Sequence, residues 1–71
     1  MDFFERFDYL LNVKRISAYR LAKEANINER IVGHWKARER KPSFDNLIKL
    51  ADYFEVSIDY LVGRSDNPER M

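Results

Sequence analysis

Cysteine is absent from this chain, so neither a disulfide nor a thiolate metal site can hold it together. That absence accords with a reducing, cytoplasmic setting. A single histidine, His34, is the whole imidazole supply. With Glu29 or Glu39 beside it there are too few ligands for a structural metal. Nothing in the chain offers a Ser-His-Asp set or a carboxylate pair that helices would bring together. Only two glycines occur, which excludes a glycine-rich phosphate loop. No apolar run approaches the roughly 20 residues needed to span a bilayer. The opening Met-Asp-Phe-Phe-Glu-Arg has neither the basic start nor the apolar run of a secretion signal. These absences set aside an enzyme, a metal or cofactor carrier, and a membrane-spanning protein.

What is present is apolar and periodic. Hydrophobic residues make up 45% of the chain, too many for a disordered one. Seventy-one residues make one domain, near the lower limit for a core with no covalent staple. Apolar residues at helical spacing fall into five stripes and no strand, so the expected class is all-α. Asp2 caps a first helix over 3–14, with Phe3, Phe7, Leu10 and Leu11 on one face. Ser17 caps a second over 18–25 and Asn28 a third over 29–37. Pro42 blocks continuation, Ser43 caps a fourth over 44–54, and Ser57 caps a fifth over 58–62 that Gly63 ends. The expected core is Phe7, Leu10, Leu21, Ala22, Ile27, Val32, Trp35, Leu47, Leu50, Ala51, Val56 and Leu61. The domain spans 1–63, and the polar, proline-containing segment 64–71 reads as a flexible tail or linker.

Residues 16–43 carry the most information. Two short helices meet at Asn26-Ile27-Asn28, where Asn26 suits the left-handed backbone that ends a helix. Helices joined by so short a turn present the second one to a DNA groove. Charge is distributed to match. The whole chain carries only +1, but residues 14–26 and 27–42 each carry +3, flanked by −2 over 1–13 and −3 over 43–63. A one-sided field of this kind attracts a phosphate backbone without a large total charge.

Taken in order, Ser17 with Leu21-Ala22, the turn Asn26-Ile27-Asn28, Val32 with Trp35, Arg40-Lys41-Pro42-Ser43, Leu47-Ile48-Lys49-Leu50-Ala51 and Val56-Ser57-Ile58-Asp59-Tyr60-Leu61-Val62-Gly63 resemble the lambda-repressor-like, Cro/Xre-type helix-turn-helix domain. The resemblance covers about residues 5–63. It implies a five-helix fold and a sequence-specific regulator of transcription on double-stranded DNA, a repressor of phage or mobile-element type. It places Glu29, Arg30, Gly33 and His34 at base edges in the major groove, with Ile31 and Asn28 at the margin. Arg30 matches guanine O6 and N7, Glu29 the cytosine amino group, and Ile31 a thymine methyl. His34 is able to donate to guanine or to a phosphate. Phosphates fall to Ala18, Tyr19 and Arg20 at a helix N-terminus, to Asn28, and to Arg38, Arg40 and Lys41 in the following loop, with Lys14 and Arg15 in reach. Three positions depart from the family pattern. Ala18 replaces its phosphate-binding Gln, Asn26 its turn Gly, and Arg38 the Gly after the third helix, which predicts a different path or strain in that loop.

One recognition helix reads few base pairs, so a homodimer on a palindromic operator is expected. Tyr53, Ile58, Tyr60 and Val62 offer more apolar surface than a small core absorbs, and are the expected seam. The other reading is a protein-interaction module, or an antitoxin-like partner, with weakened DNA contact. Ala18, Gly33 and the low net charge leave room for it.

Overall fold

The structure, a computed structural model, describes residues 1–69, and all regular structure among them is helical. The order is α1 (Phe3–Lys14), α2 (Ala18–Ala25), α3 (Glu29–Lys36), α4 (Phe44–Phe54) and α5 (Ile58–Leu61). None is long and apolar enough to cross a membrane. Each helix begins where a short polar side chain accepts from an N–H of its first turn: Asp2, Ser17, Asn28, Ser43 and Ser57. Asp2 and Glu5 bond reciprocally, side chain to backbone, at 2.9 and 3.0 Å.

Three helices end on a left-handed residue: Arg15, Asn26 and Glu55, with φ of 56°, 58° and 56°. In each the N–H of the cap residue turns back onto carbonyls of the last turn. Only Asn26 is legible as such from its type, since Arg and Glu seldom adopt this backbone. Gly63, φ 85°, has a second constraint. A Cβ there would lie 1.8 Å from the Met1 carbonyl oxygen, so the start of the chain rests on this residue.

Trp35 is the centre of the core at 1% exposure, with Phe3 and Phe7 set edge-on to it at 5.9 and 5.7 Å. Leu21, Val32, Leu50 and Leu61 are closed off around it. α2 packs on α3 and α4, α1 on α3 and α5, and α4 on α5. Of the expected core residues, Leu47 is only half-buried, at the rim. Phe3, Leu11, Phe54 and Tyr60 are buried with the rest.

One feature the sequence does not signal and one that departs from its reading are linked. Arg6 is buried, at 5% exposure. Its guanidinium lies 3.8 Å above the Tyr60 ring and reaches Asp66 at 3.1 Å and the Ser65 carbonyl at 3.4 Å, while its Nε has no partner among the described residues. The segment after Gly63, expected to be loose, is folded back: the Ser57 N–H donates to the Pro68 carbonyl at 3.0 Å, and Arg64 N–H to Asp59 at 2.9 Å. The last two residues of the expected tail, 70–71, lie outside the described residues.

Candidate nucleic-acid interface

The turn between α2 and α3 is set by three residues. Asn26 reverses the chain, Ile27 plugs the corner at 7% exposure, and Asn28 Oδ1 accepts from the Arg30 N–H at 2.8 Å. Val32 and Trp35 then turn inward, which leaves Glu29, Arg30, Ile31 and Gly33 outward and His34 half-buried at the edge of that face. Ile31 keeps 38% exposure although it is apolar. Space around Gly33 is open, with no atom within 4 Å of an added Cβ, so no packing inside this chain demands glycine. Asn28, an expected phosphate contact, has its side-chain oxygen committed to the cap.

The loop after α3 returns to the same face. Ile31, His34, Trp35, Arg40, Lys41, Ser43 and Asn46 line one shallow groove, so Arg40 and Lys41 flank the outward face of α3. Arg38 retains left-handed backbone, φ 60°, at the place of the family's glycine. That backbone costs a non-glycine residue about 1–2 kcal/mol.

Several cations of this face are already paired within the chain. Asp8 on α1 accepts from Lys36 Nζ at 2.9 Å and from Arg38 at 3.4 Å. Arg20 Nε bonds Glu24 at 2.8 Å, one helical turn on, and Tyr53 on α4 donates its hydroxyl to the other Glu24 oxygen. The Tyr53 hydroxyl and then the Arg20 guanidinium hold the Glu24 carboxyl below its usual range, and Glu24 in turn raises both partners. His34 Nδ1 lies 2.9 Å from Glu39 Oε1. By contrast, Arg30, Arg40 and Lys41 are exposed, and their side chains make no hydrogen bond or ion pair among the described residues.

At the N-terminus of α2, Ala18 is half-buried and Tyr19 is exposed, with Lys23 Nζ 5.1 Å from the centre of its ring. Of the expected seam, Ile58 and Val62 are half-buried, and Tyr53 is half-buried with its hydroxyl on Glu24. Tyr60 is not at the surface: at 8% exposure it is roofed by Arg6 and belongs to the core of the single chain. Unforeseen is Phe44, 67% exposed at the start of α4. No stripe marks it, since one apolar residue in a first turn does not show which way it points. Val62 shares a groove with Phe3, Phe4, Pro42 and Leu47, with Asp2 and Lys41 at its edge.

Comparison with known proteins agrees with this geometry. The chain is 31% identical over 65 residues to YobD of Bacillus subtilis (strain 168), an uncharacterized HTH-type transcriptional regulator, covering 92% of this chain and 58% of that one. A crystal structure of a transcriptional regulator from Listeria innocua superimposes with a TM-score of 0.76 at 36% identity, over 86% of this chain and 57% of the other. The chain thus spans a little over half the length of these relatives. The helix-turn-helix family model matches residues 12–61, from the end of α1 to the end of α5. On that match and on its five-helix fold, this chain belongs to the helix-turn-helix family, of the Cro/Xre type.

Proposed function

We propose that this chain is the DNA-binding unit of a transcriptional repressor and reads double-stranded DNA with the outward face of α3 in the major groove. One observation carries the reading. Arg40 and Lys41 share a groove with Ile31 and His34 of α3, and Arg30 is exposed on the same helix; the side chains of all three cations are unpaired among the described residues, while Arg20, Lys36 and Arg38 are neutralised by Glu24 and Asp8. Arg30 then supplies a base contact to guanine, and Arg40 and Lys41 supply phosphate contacts that set register. The relatives' names, both of transcriptional regulators, support the same assignment.

A protein this small gains useful specificity by pairing. We place two copies on a palindromic site, with the two α3 helices about 34 Å apart. The seam falls on Ile58 and Val62 with Leu47 beside Val62, rather than on Tyr60. The pairing of four surface side chains by Asp8, Glu24 and Glu39 is what favours the other reading, an interaction module with little hold on DNA.

Binding to random-sequence duplex across a range of salt separates the two. The DNA reading predicts a log–log slope of at least about −2, near −0.9 for each phosphate neutralised. Failure to bind at about 50 mM salt, where phosphate contacts are strongest, sinks it. On a selected site, protection should fall in two half-sites about ten base pairs apart. Val62→Asp should reduce this to weaker, single-site protection.

A further inference from the structure

We infer that Glu39 sets the base preference of His34: it holds the neutral imidazole with its proton on Nδ1, so that Nε2 presents a lone pair and selects a base carrying an exocyclic amino group, adenine or cytosine. The inference rests on the DNA reading above and specifies the chemistry of the same surface.

His34 Nδ1 and Glu39 Oε1 lie 2.9 Å apart. An ionised carboxylate has no hydrogen to give, so the proton of this bond belongs to Nδ1. A neutral ring has only one N–H, which leaves Nε2 as an acceptor. The arrangement is built into the backbone. Arg38, in left-handed conformation, turns the chain so that the Glu39 N–H donates to the His34 carbonyl at 2.8 Å. The same two residues are therefore joined twice, and the carboxylate is held at the Nδ1 edge of the ring. Nothing else among the described residues hydrogen-bonds the imidazole.

Chemistry of the groove does the rest. In the major groove adenine and cytosine present an amino donor, whereas guanine presents N7 and O6 and thymine presents O4, all acceptors. A lone pair on Nε2 attracts the first two and repels the others. His34 is one turn after Arg30 on α3, so the two contacts address different base pairs, and the guanine choice falls to Arg30. His34 is here a contact residue and Glu39 a positioning residue. The plain expectation for this histidine, donation to guanine, is thereby reversed. A carboxylate beside Arg40 and Lys41 otherwise works against phosphate attraction, and fixing the tautomer gives it a use.

The test has two arms, both on the full chain at about pH 8, above the ordinary imidazole range. Nitrogen-15 spectra of the His34 ring should show a protonated Nδ1 and a bare Nε2, and Glu39→Ala should abolish that pattern. Glu39 is exposed, so this variant should keep its helical circular dichroism. Site selection from random duplex should yield adenine or cytosine at one position. Glu39→Ala should relax the preference there by about tenfold while still binding random duplex. Where adenine is selected, replacing it with purine lacking the amino group should weaken the unaltered chain by about the same factor, and His34→Ala not at all. A proton on Nε2, guanine at that position, or a preference that survives Glu39→Ala overturns the inference and leaves DNA binding standing. If the unaltered chain binds no duplex at all, both fall together.

Discussion

Gly33→Ala separates the folding role of α3 from its reading role. Gly33 lies inside an eight-residue helix, Glu29–Lys36, on ordinary helical backbone. Glycine there costs roughly 0.5–1 kcal/mol relative to alanine, because the unfolded chain gives up more freedom. A new methyl meets no atom within 4 Å, so no steric cost offsets the gain. The variant should therefore be more stable by about 0.5–1 kcal/mol. For a domain of this size that raises Tm by about 2–8 °C, measured by thermal circular dichroism. Binding should move the other way. The methyl projects from the outward face on the side of Arg30 away from His34, where it holds α3 away from base edges. Affinity for a selected site should fall while affinity for random duplex stays level. A lower Tm would refute the account of α3 as an unstrained helix open at Gly33. A higher Tm with unaltered site selectivity would place Gly33 off the bases.

Arg6→Ala should lower stability by about 2 kcal/mol through the lost contact over Tyr60, whereas Asp66→Asn should cost less than about 1 kcal/mol, because Asp66 is exposed. Urea unfolding of both variants checks the contrast. Tyr53→Phe removes the largest cause of the depressed Glu24 carboxyl, which should then titrate closer to 4.5 in a carbon-13 NMR titration. Because the folded value lies below the unfolded one, this group stabilises above about pH 4.5, and its contribution is lost as pH falls through the folded value. The variant should lose less stability over that acid window than the unaltered chain. Arg40→Ala and Lys41→Ala should each weaken binding to all duplexes alike and reduce the salt slope by about one.

Much of the fold is legible in the sequence because its punctuation is local. Ser17, Asn28, Ser43 and Ser57 mark helix starts through bonds to their own next turn, and Asn26 marks the corner by its tolerance of left-handed backbone. Position alone also puts Glu29, Arg30, Ile31 and Gly33 outward, since Val32 and Trp35 must turn in. Long-range pairings are what the sequence hides. α5 spans four residues, Ile58–Leu61, too short for a stripe to tell which side faces the core. Tyr60 therefore read as surface, and nothing local to its partner Arg6, remote in the chain, signals the contact between them. The fold-back of Ser65 to Pro68 is held by that same Arg6, by a backbone bond from Ser57 and by bonds from Arg64 and Ser65 to the Asp59 carbonyl, none signalled by a polar tail. Left-handed Arg15, Arg38 and Glu55 carry no signal in their residue type. Likewise, the charge count gave no warning that Asp8 and Glu24 neutralise cations expected on phosphate.

The central claim, that the outward face of α3 reads bases, is tested most directly by Arg30→Ala on two duplexes, a selected site and a random sequence, each titrated at several salt concentrations. Arg30 is exposed and unpaired among the described residues, so its removal should not disturb the fold. The account predicts a loss of about 1–3 kcal/mol on the selected site, relaxed preference at one base pair, and little loss on random sequence. Equal losses on both duplexes, with the salt slope reduced by about one, would make Arg30 a phosphate contact and contradict the claim.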